Sequence, residues 1–262
     1  MVTALTIAGS DSGGGAGIVA DLKTFEALGV WGTTAIVAVT AQNTHGVQAF
    51  ETVSPELVRQ QIASVLGDIG AQAAKTGMLA SAEIVVAVAE ALRDFGGPLV
   101  VDPVFVSKHG NTLLADDAVD ALRATLLPRA EVVTPNIPEA EALTGLTIAT
   151  RDDMVAAAEA LSRTGVTTVL LKGGHLGGDD SPDLVFTAGT ATWLEGERIP
   201  GRHTHGTGCV LSAAITAELA KGMDPPDACL AGKRFVTRAI AAGLELGGGV
   251  GPVNPGWERL VG

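Results

Sequence analysis

Leu5-Thr6-Ile7-Ala8-Gly9-Ser10-Asp11-Ser12-Gly13-Gly14-Gly15-Ala16-Gly17 is the stretch on which the fold turns. Its first four residues read as a buried strand, and those from Gly9 to Gly17 as a glycine-rich turn. A helical stretch follows over 18–28 and stops at Gly29. The next strand is read over 33–40, which is rich in Val, Ile and Thr. Strand, tight turn, helix and strand make a βαβ unit.

The rhythm repeats outward from this unit. Ser54 as N-cap and Pro55 in the first turn start a helix that runs to about Leu66. Strands are expected over 71–75, 99–102, 131–134 and 168–172, and a hairpin over 183–193. Helices are expected over 81–95, 116–127 and 152–163, with a short one through Leu143 and two closing ones over 207–221 and 225–246. The alternation predicts an α/β fold with a mostly parallel sheet and helices on both faces. No repeat, linker or shift in composition divides the chain, so a single domain over 1–262 is expected. Ligands of such sheets bind at the carboxyl ends of strands. Chemistry is therefore sought at Gly9 to Asp11, Gln42-Asn43, Thr76 to Met78, Asp102, Asn136 and Gly173 to His175.

Bulk properties narrow the partners. A net charge of −12 argues against nucleic acid and anionic membrane surfaces. It does not exclude a nucleotide, because backbone N–H groups bind phosphate inside an acidic protein. Cys209 and Cys229 offer neither a disulfide framework nor metal-type spacing. No signal peptide is read at the N-terminus, and no apolar run is long enough to span a bilayer. A cytoplasmic protein is the expectation.

Four segments carry chemistry. In Gly206-Thr207-Gly208-Cys209 the glycines let the backbone curl around an anion at a helix start, a hole for a transferring phosphoryl group. The helix dipole there is expected to lower the Cys209 pKa, making it a candidate base for a substrate hydroxyl. The plainer alternative is a helix capped by Thr207 with Cys209 as a small apolar filler. In the opening turn, a Walker A loop fails because Ile18 follows Gly17, and a dinucleotide fingerprint fails because no acidic residue ends the second strand. These glycines instead let backbone lie close to a flat, uncharged substrate, with Asp21 as hydrogen-bond acceptor or, alternatively, as a solvated early-helix carboxylate. Asn136 and Glu139 suit a phosphate oxygen and Mg²⁺, or else form a capping box. Lys172, followed by Gly173 and Gly174, suits a nucleotide phosphate or is a tight turn; Lys233 lies in the last helix, where a lysine is usually solvated surface. His203 and His205 lack the third ligand of a metal site, and His45 and His109 fall in loops.

Together these pieces resemble one family. The opening 4–11 with 14–18 and 20–25 is similar to that of hydroxymethylpyrimidine/phosphomethylpyrimidine kinases. So are Thr40-Ala41-Gln42-Asn43-Thr44, Lys75-Thr76-Gly77-Met78-Leu79, Val101-Asp102-Pro103-Val104 and Thr134-Pro135-Asn136 with Pro138-Glu139-Ala140. Leu171-Lys172-Gly173-Gly174-His175-Leu176 and His205-Gly206-Thr207-Gly208-Cys209 complete a collinear set along nearly the whole chain.

The resemblance implies a ribokinase-like fold, ATP and Mg²⁺, a homodimer, and two successive phosphorylations in thiamine biosynthesis. The first acts on 4-amino-5-hydroxymethyl-2-methylpyrimidine and the second on its monophosphate. It places Asp21 and Gln42 on the aminopyrimidine, and Gly9, Ala16, Met78 and Val104 around it. Gly206, Thr207, Gly208 and Cys209 become the anion hole, with Cys209 in the base position. Asn136, Lys172, Lys233 and Glu139 serve ATP and Mg²⁺. Departures are Phe105 where Met is common, His109 in a 107–111 loop that would act as a lid, and His203 where Asn often stands. Rival readings are a pyridoxal kinase, a non-catalytic binder of vitamin precursors, and a dinucleotide oxidoreductase, the last opposed by the missing acidic residue.

Overall fold

In the computed structural model, residues 1–104, 116–174, 176–177 and 180–260 are described. The expected lid at 107–111, with Phe105 and His109, lies outside them, as does His175. Among the described residues nine strands form one sheet: β1 (Thr3–Gly9), β2 (Trp31–Asn43), β3 (Gly46–Thr52), β4 (Ala73–Thr76), β5 (Leu99–Val101), β6 (Val132–Val133), β7 (Thr168–Lys172), β8 (Asp183–Thr187) and β9 (Thr190–Leu194). The described residues also form eight α-helices: α1 (Gly17–Ala27), α2 (Pro55–Ser64), α3 (Ala82–Ala91), α4 (Asp116–Thr125), α5 (Ile137–Thr144), α6 (Arg151–Ser162), α7 (Thr207–Ala220) and α8 (Pro225–Ala241).

The strand order is β3-β2-β1-β4-β5-β6-β7-β8-β9. From β2 to β7 every neighbouring pair is parallel, while β3, β8 and β9 are antiparallel additions at the two edges. Successive strand residues face opposite sides. Val101, Val133 and Leu171 pack with Ile62 of α2, Val88 of α3, Leu122 of α4, Leu143 of α5 and Leu161 of α6. Their neighbours Val100, Val132 and Leu170 pack with Phe25 of α1, Leu211 and Ile215 of α7 and Val236 of α8. Both faces of the parallel strands are therefore buried, which is why they read as continuous apolar runs rather than as alternation.

The chain leaves β1 through α1 to reach β2 on one side, and returns through α2 to β4 on the other. That reversal opens a crevice beyond the carboxyl ends of β1 and β4. The hairpin strand β3 was not foreseen. Its residues after Val47 are exposed on both faces, so it shows no burial period. Among the described residues no helix is long and apolar enough to cross a membrane.

Candidate active site

Asp11, just past β1, shapes the glycine turn. Its Oδ1 accepts from the Gly13 N–H at 2.8 Å, and its Oδ2 from Gly15 and Ala16 at 3.0 and 2.9 Å. His205 Nε2 lies 2.8 Å from the same Oδ2. Burial alone would raise this carboxyl, but His205 and the turn's N–H groups together hold it below the usual range. Ser12 fastens the turn to β2 by donating to the Gln42 carbonyl and accepting from the Gln42 N–H, each at 2.7 Å. Gly17 has φ +56°, and a Cβ there would strike the Gly9 carbonyl, so only glycine allows this close return of the chain.

The second wall is the start of α7. Gly206 has φ +81°, and a Cβ there would run into the Gly15 carbonyl; the two turns are in backbone contact. No side chain caps this end of α7; the Thr207 N–H turns back to the Thr204 carbonyl at 3.4 Å, and those of Gly208 and Cys209 follow at the helix start. The alternative of a cap from Thr207 does not hold: its hydroxyl donates backwards to the Thr204 carbonyl at 2.8 Å. Gly208 lies beside the cation of β7, where an added Cβ would stand 3.7 Å from Lys172 Nζ and 3.6 Å from Asp102 Oδ2.

Lys172 Nζ lies 3.4 Å from Asp102 Oδ1 and 3.7 Å from Glu139 Oε2. Burial works against its ammonium, but Asp102 and Glu139 outweigh it and raise its pKa. Asp102 also accepts from Thr134 at 3.0 Å and Ser212 at 3.2 Å. Glu139 and Asn136 do form the reciprocal capping box of α5. Burial pushes the Glu139 carboxyl up to about 7 against the pull of Lys172. Lys233 is not solvated surface. It reaches Asp183 Oδ2 at 2.7 Å and the Ser181 carbonyl at 3.0 Å.

All the residues expected at the site border one cavity of about 1380 Å³: Gly9, Ala16, Asp21, Gln42, Met78 and Val104 together with Asn136, Glu139, Lys172 and Lys233. Gly206, Thr207, Gly208 and Cys209 lie on its wall. Pockets for one small ligand usually span about 300–1,000 Å³, so this one has room for two.

Two expectations need correction. The solvated alternative for Asp21 does not hold, although the residue borders the cavity. Its side chain is wholly buried, with Oδ1 on Lys75 at 2.8 Å and Oδ2 on the Thr6 hydroxyl at 2.6 Å. It braces the floor of the cavity. Cys209 does not have a lowered pKa. Burial pushes its thiol up to about 12, although Lys75 opposes this. Its Sγ instead accepts the Gly17 N–H at 3.3 Å and so ties α7 to the opening turn.

Several groups went unassigned in the sequence. Lys75 is fully buried within β4; burial opposes its charge, and Asp21 together with Cys209 and Asp102 more than offsets that and raises its pKa. A lysine inside an apolar strand was the available signal. His205, which lacks the partners of a metal site in the sequence, joins Asp11 and Gln42. Asp11 and Asp102 stood at the right strand ends but without a role. Asp183 carries Lys233 and accepts from the Gly173 N–H at 3.0 Å.

The fold and this site define a ribokinase-like small-molecule kinase. The solved structures agree. The chain has a TM-score of 0.92 and 41% identity to Bacillus subtilis pyridoxal kinase in an ADP complex, over 99% of each chain. To phosphomethylpyrimidine kinase of Clostridium difficile the TM-score is 0.82 at 43% identity, over 92% of this chain and 100% of that one. A hydroxymethylpyrimidine/phosphomethylpyrimidine kinase of Streptomyces coelicolor is 53% identical over 253 residues, 97% of this chain and 94% of the relative. The phosphomethylpyrimidine kinase family model matches residues 11–254, and the chain belongs to that family.

Proposed function

We propose that this chain transfers the γ-phosphoryl group of ATP to the hydroxymethyl oxygen of 4-amino-5-hydroxymethyl-2-methylpyrimidine, then phosphorylates the monophosphate to the diphosphate, in thiamine biosynthesis. One observation carries the reading: a glycine-walled pocket for a flat ring, an uncapped helix start and a lysine share one cavity. Family membership supports the substrate, and the relative in complex with ADP supports the nucleotide.

In the first step the hydroxymethyl oxygen bonds to the γ-phosphorus, the bond to the β–γ bridging oxygen breaks, and ADP departs. The hydroxyl proton passes to an oxygen of the transferred phosphoryl group or to water. The transition state is loose, so positioning and charge stabilisation dominate. N–H groups at Gly208 and Cys209 and the Lys172 ammonium supply that stabilisation. Removing one such donor elsewhere costs about 10²–10³ in rate. A thiol near 12 contributes little as a base at neutral pH. Mg²⁺ takes one or two protein carboxylates together with substrate phosphates; Glu139, beside Asp102 and Lys172, would hold it directly or through water and offset phosphate charge. Asn136 and Lys233 complete the proposed nucleotide side.

The likeness to pyridoxal kinase supports one second reading, the same transfer to pyridoxal. Competing the two alcohols for limiting ATP and weighing the products tests both. A single ribokinase-like domain, a homodimer and a cytoplasmic location belong to the same proposal. Sedimentation of the purified protein tests the dimer.

A further inference from the structure

Hydrogen-bond accounting around Gln42 leads to a specificity device, which rests on the pyrimidine reading above. Asp11 is an acceptor on both oxygens, since it takes the N–H groups of Gly13, Gly15 and Ala16. Its 2.8 Å contact with His205 therefore places a hydrogen on His205 Nε2, whether the ring carries one hydrogen or two. A nitrogen bearing that hydrogen cannot accept another. Yet Gln42 Nε2 stands 3.3 Å from it, donor facing donor.

Thr40 shows the complementary conflict. Its single hydroxyl hydrogen faces the Ser10 carbonyl at 3.0 Å and Gln42 Oε1 at 3.4 Å. Exchanging the amide oxygen and nitrogen removes the facing donors, with the one His205 Nε2 hydrogen then shared between Asp11 and the amide oxygen, and it gives Thr40 Oγ1 a donor; amide orientation is assigned from such networks. The oxygen then lies toward the His205 N–H, and the nitrogen donates to Thr40 Oγ1, whose hydrogen goes to Ser10. The Gln42 backbone is already fixed by Ser12.

We propose that His205, held by Asp11, acts with Thr40 as a positioning residue that locks the Gln42 amide with its oxygen toward His205 and its nitrogen toward Thr40. One lone pair and one N–H of that amide remain for the cavity. Such an amide accepts from an exocyclic amino group and donates to the adjacent ring nitrogen, in one order only. A 4-oxo pyrimidine presents the reverse edge, a carbonyl beside a ring N–H, and meets donor with donor. Sites built to pair a polar group discriminate strongly against ligands that leave it unpaired.

Two measurements test this. Neutron diffraction from deuterium-exchanged crystals should show deuterium on His205 Nε2 and the Gln42 nitrogen on the Thr40 side; the nitrogen on the His205 side overturns the proposal. The second is the ratio of kcat/KM for 4-amino-5-hydroxymethyl-2-methylpyrimidine to that for its 4-oxo analogue. His205→Phe frees the amide to turn over, so the ratio should fall by about tenfold or more while the KM for ATP changes less than about twofold. His205→Gln, which can still donate to Asp11, should restore most of the ratio. An unchanged ratio in a folded His205→Phe overturns the positioning role. Wild-type protein that phosphorylates neither pyrimidine overturns the functional reading and the device's substrate with it, while the neutron result still decides the orientation.

Discussion

At Cys209 two influences oppose one another. The start of α7 favours a thiolate, and burial of this part-exposed residue on the cavity wall disfavours one. Burial prevails and the thiol lies near 12. Cys209→Ala is expected to keep turnover within about 10²-fold of wild type, below the full 10²–10⁴-fold range of a lost general base. Rates of both proteins should be level between pH 8 and 10; a rising limb in the wild type that Cys209→Ala abolishes would restore the base. Glu139 illustrates the opposite sign from a paired carboxylate. Its folded value of about 7 exceeds the ordinary 4.5. Between those values the folded state keeps a proton that the unfolded chain has released, so this group's contribution falls as pH rises from about 4.5 to 7. Urea denaturation across that window should show a shallower decline in Glu139→Gln; an unchanged slope would contradict the shift. Residue identity was legible at the site because Gly-Thr-Gly-Cys and Lys-Gly-Gly are local patterns. The state of those residues was not, because desolvation comes from elements far along the chain, as Lys75 and Asp21 show at 54 residues apart.

At the scale of elements, the buried pair between β4 and α1 makes the firmest claim. Asp21 and Lys75 are fully buried, and each is costly alone. Lys75→Met should destabilise the fold by about 3–5 kcal/mol, because it leaves an uncompensated carboxylate. Adding Asp21→Leu should recover most of that loss, short of about 1–3 kcal/mol for the Thr6 hydroxyl left unpaired. Equilibrium denaturation of the three proteins reads this directly, and a double variant no better than the single one would contradict it. Most elements were legible for a related reason. Strands β1, β5 and β7 are apolar because both sides are covered, and α2 begins at the expected Ser54, whose side chain accepts the Leu57 N–H. Strand β3 was not legible, since an edge strand exposed on both faces leaves no pattern of burial. The expected extension of α8 to Leu246 stops at Ala241, where Gly243 packs against His203 and the chain turns away.

At the scale of the molecule, lysines paired with carboxylates meet where phosphate would lie. Lys75, Lys172 and Lys233 all border the same cavity in a protein of net charge −12. The parallel sheet directs its strand ends there, and the order reversal at β1 opens the crevice. The two-ligand volume, the uncapped start of α7 and the glycine wall follow from that topology. The central claim is phosphoryl transfer from ATP to the hydroxymethylpyrimidine. Its most direct test is mass analysis of products from purified protein with ATP, Mg²⁺ and equal amounts of the pyrimidine and pyridoxal. Hydroxymethylpyrimidine monophosphate followed by the diphosphate is the predicted result; pyridoxal phosphate alone, with the pyrimidine untouched, would contradict it.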